Sequence, residues 1–368
     1  MKRNLLWMFM LCACLNVLLV SCEKDDPIPE TKDPEESLVS SMKGVYILNA
    51  GNWKSNNATL DYYDPETKSI SSKVFVAKNG RGLGDTANDM VIYGSKMYIV
   101  VNMSGTIEVT DLSGKSIQTI SPKDESGEPQ LPRMAIATQG KVFVSLFDGH
   151  VACIDTTSLE IIKKVKVGAN PEGICELNGK LYVANSGGYN PVPDSTLSVI
   201  DLQTLSVEKE LLVTCNPKTI QKDNAGNLYV LSLGNYGDIP ATLQQIDVVS
   251  GKCKVIETNS ELISSVNKDK IYIYSAKQEN WVVTEYGFKV YDIQKGTMVT
   301  PHFITDGTVV DNTYCMNVDP VLGNVYIGTS DYVNTGDMFV FSPEGKLLDK
   351  LAVSGLNPMG AYFLTEKK

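Results

Sequence analysis

Residues 170–188 read NPEGICELNGKLYVANSGG, and after a short polar stretch residues 197–211 read LSVIDLQTLSVEKEL. The turn Leu177-Asn178-Gly179-Lys180 precedes an apolar–aromatic–apolar triplet, Leu181-Tyr182-Val183. Asn-Gly between apolar runs is a hairpin cue. Asp201-Leu202-Gln203-Thr204 then marks a second tight turn. An aspartate at the first turn position accepts bonds from backbone amides two residues on. The unit is four short strands joined by tight turns.

Outward from it, the unit recurs. The triplet returns as Val45-Tyr46-Ile47, Met97-Tyr98-Ile99, Val142-Phe143-Val144, Leu228-Tyr229-Val230, Ile271-Tyr272-Ile273 and Val325-Tyr326-Ile327. Each triplet is followed by a turn marker: Asp64, Asp111, Asp155, Asp201, Asp247, Asp292 and Ser342, spaced by 47, 44, 46, 46, 45 and 50 residues. Two interleaved markers repeated seven times in order define a repeat protein. Four antiparallel strands per unit of this length describe a β-propeller blade. The expected fold is therefore all-β, a seven-bladed β-propeller of four-stranded antiparallel blades, and the regularly spaced carboxylates are turn formers.

The first unit starts at its aromatic strand with no inner strand before it. The last segment, Asn357-Pro358-Met359-Gly360-Ala361-Tyr362-Phe363-Leu364, is similar to the inner strands at Asn170-Pro171-Glu172-Gly173-Ile174 and Asn216-Pro217-Lys218-Thr219-Ile220. Residues 356–364 are expected to pair with residues 44–50, so that the C-terminal strand closes the N-terminal blade. A ring closed this way leaves no exposed end blade.

These blades resemble the YncE-like seven-bladed family, with residues 170–211 as the clearest unit and the likeness running over residues 42–364. They lack the Trp-Asp dipeptide of WD40 blades, since Trp53 and Trp281 are followed by Lys54 and Val282.

The region before the repeats reads as an address. Lys2 and Arg3 precede the apolar run Leu5 to Val20, which ends in Leu19-Val20-Ser21-Cys22. Its length fits a secretory signal better than a membrane span. Small residues before a cysteine resemble the lipobox of bacterial lipoproteins, which implies cleavage after residue 21 and lipidation of Cys22. The following Glu23-Lys24-Asp25-Asp26 resembles a Lys-acidic-acidic export signal and implies the outer face of the outer membrane. Residues 22–41 hold three prolines and seven acidic side chains. Such a segment buries too little to offset its ordering entropy, so a disordered tether is expected, with a reach on the order of 65 Å. The divisions expected are 1–21 signal, 22–41 lipidated acidic tether and 42–368 propeller.

Composition excludes several classes. The 368 residues include only two histidines, His150 and His302, which leaves no HExxH zinc helix. The net charge is −10, and −12 once Lys2 and Arg3 depart with the signal. An acidic body repels phosphate backbones and makes nucleic acid an unsuitable partner. Five cysteines remain in the body: Cys153, Cys175, Cys215, Cys253 and Cys315. None has paired metal-ligand spacing, and Cys153, Cys175 and Cys315 fall in expected strands as small buried hydrophobes.

In a four-stranded meander the first and third connections share one end of the blade. The second connection and the link to the next blade share the other. The former are minimal here and the latter vary widely, so one rim is elaborated and becomes the candidate site. It is expected to carry Trp53, Asn79-Gly80-Arg81-Gly82 as a flexible loop, Asn88-Asp89, Asn102, Arg133, Phe147, Tyr189-Asn190, Tyr236, Trp281, Tyr286 and Tyr332. Aromatics with amides and few charges suit a large ligand with flat apolar surface and amide groups.

A surface-exported lipoprotein carrying one propeller also resembles the BtuG family of cobalamin-capturing lipoproteins. The resemblance implies noncatalytic capture of cobalamin or a related corrinoid as ligand, no catalytic cofactor, and an outer-membrane TonB-dependent transporter as partner. The rim residues come from loop placement and not from that family. Two other readings stay open. One is a lactonase-like hydrolase with a metal at the central mouth held by Asp89, Glu172, Glu261, Asp311 and Asn312. The other is a glycan-binding or scaffolding propeller, which an aromatic rim suits nearly as well.

Overall fold

The triplets decide the architecture through alternation. In a strand, successive side chains face opposite ways, so an unbroken apolar run must be covered on both faces. The computed structural model, which describes residues 39–188, 190–280 and 282–367, shows how. Val45 and Ile47 face Tyr326, Met338 and Val340 of the blade before. Tyr46 and Leu48 face Met90, Met97 and Ile99 of the blade after. Every blade is therefore a filling between two others.

The strands form seven four-stranded antiparallel sheets, as the repeat count predicts. Blade 4 is typical: Pro171–Leu177, Lys180–Asn185, Thr196–Asp201 and Ser206–Leu212, from the channel outward. All seven triplet aromatics are buried, at 3 % exposure or less. One sits in each of the seven apolar clusters that join adjacent blades. Each contributes about 2–3 kcal/mol of transfer free energy. Cys153, Cys175 and Cys315 are buried in these strands as expected.

Blade 1 is assembled from both ends of the described chain. Pro358–Lys367 lies innermost and pairs with Val39–Asn49, with Val45 opposite Phe363 and Tyr46 opposite Tyr362. The ladder runs further than expected: Val39 pairs with Lys367 and Met42 with Thr365, so the sheet begins ahead of the boundary placed at residue 42. Unpaired backbone groups beside a strand are costly, and extension satisfies them. Blade 7 also grips blade 1 through Ser354, whose N–H donates to Asp61 Oδ2 at 2.7 Å and whose hydroxyl donates to Oδ1. The signal, Cys22 and the tether as far as residue 38 lie outside the described residues.

The turn markers behave as their chemistry requires. Asp201 Oδ1 accepts the N–H groups of Gln203 and Thr204 at 2.9 and 2.8 Å, and Asp155 Oδ1 those of Thr157 and Ser158 at 3.0 and 2.8 Å. Asp64, Asp111, Asp247, Asp292 and Ser342 do the same in their own turns. All these turns, and the first connection of blades 2 to 7, span two to six residues. They form one trimmed end.

The other end begins with a repeated device. Asn170, Asn216, Asn312 and Asn357, each just ahead of an inner strand, adopt the left-handed conformation, with φ of 48°, 60°, 55° and 57°. Asparagine tolerates that region better than most residues. Their carbonyls accept the N–H groups of Ser186, Leu233, Ser330 and Ala50, which locks each inner strand to the loop beside it. Asn-Pro is thus a hinge of the fold in blades 4, 5 and 1.

Two outcomes follow for stability. Phe363 stacks edge-on against Tyr326 at 5.3 Å across the closing seam, so Phe363→Ala should cost about 3 kcal/mol in denaturant melts. Removal of residues 357–368 should abolish the cooperative transition altogether. The second outcome concerns acid. Backbone N–H groups three residues on hold the carboxyls of Asp64, Asp155, Asp201, Asp247 and Asp292 below their ordinary range. A lowered folded pKa stabilises fully above the unfolded value and is lost as pH falls through the folded one. Thermal melts should therefore decline together below about pH 4, and Asp201→Asn, which keeps an acceptor without a titrating charge, should flatten that decline.

Candidate functional site

Each inner strand starts at the looped end and lines the central channel. In blades 3, 4 and 5 the residue after the first strand position is Arg133, Glu172 and Lys218. Arg133 donates from Nε and Nη2 to the two Glu172 oxygens at 3.0 and 2.8 Å. Lys218 Nζ reaches Glu172 Oε2 at 2.9 Å. Gly173 makes that approach feasible, because a Cβ there would stand 2.8 Å from the Lys218 carbonyl. Burial alone would push the Glu172 carboxyl up, but the Lys218 and Arg133 charges outweigh it and hold the group below its ordinary range. Burial pulls the Lys218 ammonium down, with Glu172 opposing and Arg133 adding to the effect.

Around this triad the mouth is mixed. Arg133 Nη1 reaches Asn88 Oδ1 at 3.4 Å, Asn88 Nδ2 donates to the Arg133 carbonyl at 2.6 Å, and the guanidinium lies 5.2 Å from the Phe147 ring. From blade 7, Tyr314 meets Tyr332 edge to face at 5.7 Å, and burial pushes its phenol up to about 12. From blade 6, Glu261 accepts Gln278 Nε2 at 2.7 Å, its carboxyl raised by burial. Lys218 and Tyr314 were not singled out in the sequence. The signal was available in Asn216-Pro217-Lys218 and Asn312-Thr313-Tyr314, which share register with Asn170-Pro171-Glu172.

Above the mouth stand the loops between second and third strands. Trp53, Tyr236 and Tyr332 lie on those of blades 1, 5 and 7, each about two-thirds exposed. Lys54 Nζ sits 4.2 Å over the Trp53 ring. Asn190 is exposed on the loop of blade 4, its N–H bonded to the Gly187 carbonyl. Tyr189 and Trp281 lie outside the described residues. In blade 6 the strands Lys270–Glu279 and Val282–Asp292 are nearly twice the usual length and carry the hairpin beyond the ring, with Val282 exposed near its tip.

Four expected rim residues serve the framework. Residues Val74–Asn79 form a short helix that leads into the expected Asn79-Gly80-Arg81-Gly82 loop, and Phe75, fully buried in the seam of blades 1 and 2, draws that loop down the flank. Asn79 Nδ2 donates to the Gly114 carbonyl on the trimmed side, and Gly80 ends the helix at φ 66°. Arg81 is thereby placed on the flank, donating to buried Glu108 at 2.8 Å and to Ser116 at 3.1 Å. Asn102 is buried, and its amide donates to the Pro132 carbonyl at 2.9 Å. Asp89 lies in the channel wall below the mouth, accepting the Ala135 N–H and the Tyr362 hydroxyl, both at 2.8 Å. Burial pushes its carboxyl up to about 6.

The acidic residues of the metal reading do not meet. Glu172 is taken by two cations, Glu261 by an amide, and Asp311 by the Tyr286 hydroxyl at 2.7 Å. Among the described residues no three His, Cys, Asp or Glu side chains stand close enough to hold an ion. Loss of Glu172 would leave two neighbouring cations without their counter-charge. Glu172→Ala should thus cost about 3–5 kcal/mol in denaturant melts, whereas Lys218→Met, which keeps the apolar stem, should cost far less.

The fold recurs in solved structures of low identity. The Kuenenia stuttgartiensis hydrazine synthase shares 16% identity over 77% of this chain and 95% of that one, with a TM-score of 0.61. A quinonprotein alcohol dehydrogenase-like protein from Bacteroides thetaiotaomicron shares 16% over 88% of this chain and 78% of the other, with a TM-score of 0.62. The WD40 domain of Neurospora crassa Pan2 shares 12% over 71% and 78%, with a TM-score of 0.54. At such identities the likeness is one of fold alone. None of the curated proteins matches the sequence. Residues 43–353, nearly the whole ring, match the family described as Domain of unknown function (DUF5074), and the chain belongs to that family.

Proposed function

We propose that the looped rim captures cobalamin or a related corrinoid without converting it, and passes it to a TonB-dependent transporter in the outer membrane. The anchor would be lipidated Cys22, on the cell exterior. The observation that carries this reading is the placement of exposed rings, Trp53, Tyr236 and Tyr332, on separate loops around a mouth rich in hydrogen-bonding groups. A corrin is broad, apolar on its faces and fringed with amides. Each ring laid against it would bury about 150–250 Å², while Asn190, Arg133 and Asn88 offer polar partners for the fringe. The resemblance of the signal, tether and single propeller to the BtuG family supports the same ligand.

Calorimetry of the propeller with cyanocobalamin tests this directly. The expected result is saturable heat and co-migration on gel filtration. Trp53→Ala, Tyr236→Ala and Tyr332→Ala should each weaken binding about 5- to 30-fold, with unchanged melting. No heat and no co-migration would end the corrinoid reading, and binding on a glycan array would then favour sugars at the same rings.

A further inference from the structure

We propose that the channel mouth is an anion subsite, in which Lys218 and Arg133 receive a singly charged phosphate-type group of the ligand held by the rim. The argument begins with charge. Two cations share one carboxylate, Glu172, which is 4 % exposed. Charges withdrawn from water are stable when paired, and among the described residues these two partly buried cations have one carboxylate between them. Glu261 stands in blade 6 bonded to Gln278, and among the described residues it forms no ion pair with either cation. Asp89, the carboxylate next along in blade 2, is occupied by Ala135 and Tyr362.

Donor capacity points the same way. An ammonium has three N–H bonds, and Lys218 directs one at Glu172 while its side chain remains about one-third exposed to the channel. Arg133 spends Nε and Nη2 on Glu172, and among the described residues its Nη1 makes a long contact with Asn88. The protein as a whole carries −10, so a cationic mouth is no by-product of a basic surface. Lysine as a point charge beside an arginine fork is a recurrent phosphate receptor. The subsite rests on the corrinoid reading only for the ligand's identity. On that reading the group received is the phosphodiester of cobalamin's nucleotide loop, which cobinamide lacks.

The test uses the intact protein and three probes. Wild type should bind cyanocobalamin at least about tenfold tighter than dicyanocobinamide, and Lys218→Met should shrink that preference to about threefold or less. Independently, inorganic phosphate at constant ionic strength should raise the melting temperature of wild type above that in chloride, and should not do so in Lys218→Met. Should Lys218→Met fail to fold, Lys218→Gln serves in its place. Equal affinity for both corrinoids in wild type, or a phosphate shift identical in the variant, would overturn the subsite while leaving corrinoid capture intact. A phosphate shift lost in the variant, with neither corrinoid bound, would retain the subsite and remove the corrinoid.

Discussion

The ring stands on one contact made seven times, an aromatic side chain from the second strand of each blade set into the apolar face of the next. A four-stranded sheet of this size has two greasy faces and no means of covering either by itself. Only a neighbour on each side removes both from water, so no blade is stable alone and no end can be left open. That requirement explains why Tyr326 must find Val45 and Ile47 across the closing seam. It also explains why the last strand of the chain is spent on the first blade.

Much of this was legible because repetition turns weak local cues into strong ones. A single Asp-Leu-Gln-Thr is an ordinary turn, but seven turn markers in register with seven triplets leave little freedom. Closure was readable because Asn357-Pro358-Met359 repeats the opening of two internal strands. The site was less legible. Loop length correctly separates the two ends of each blade, yet it cannot distinguish a chain that crosses the rim from one that descends the flank. Residues 79–82 do the latter, drawn down by Phe75. Apolar Val74-Phe75-Val76 carried that information, masked by the glycines after it.

The channel mouth escaped for a different reason. Arg133, Glu172 and Lys218 are about forty residues apart in sequence, with nothing between them to suggest contact. Their meeting follows from equivalent registers in adjacent blades, a property of the ring and not of any segment. Rim and mouth therefore answer to different constraints. Loops vary freely because only their ends are tied, whereas mouth residues must satisfy one another across blade boundaries. A family that keeps the ring can change its rim with little cost, but a charge altered at the mouth demands a compensating change next door.

The direction in which the chain enters the ring has a mechanical meaning. Val39–Asn49 runs from the trimmed end towards the loops, so any attachment upstream of Val39 pulls from the side opposite the aromatic crown. Such a load acts along the strand and sets its backbone ladders in shear, the orientation in which many hydrogen bonds bear force together. A body moored from beneath would hold its loops away from the mooring surface. To present them to anything embedded in that same surface, it would have to tip over on its leash, so leash length would govern how readily cargo changes hands.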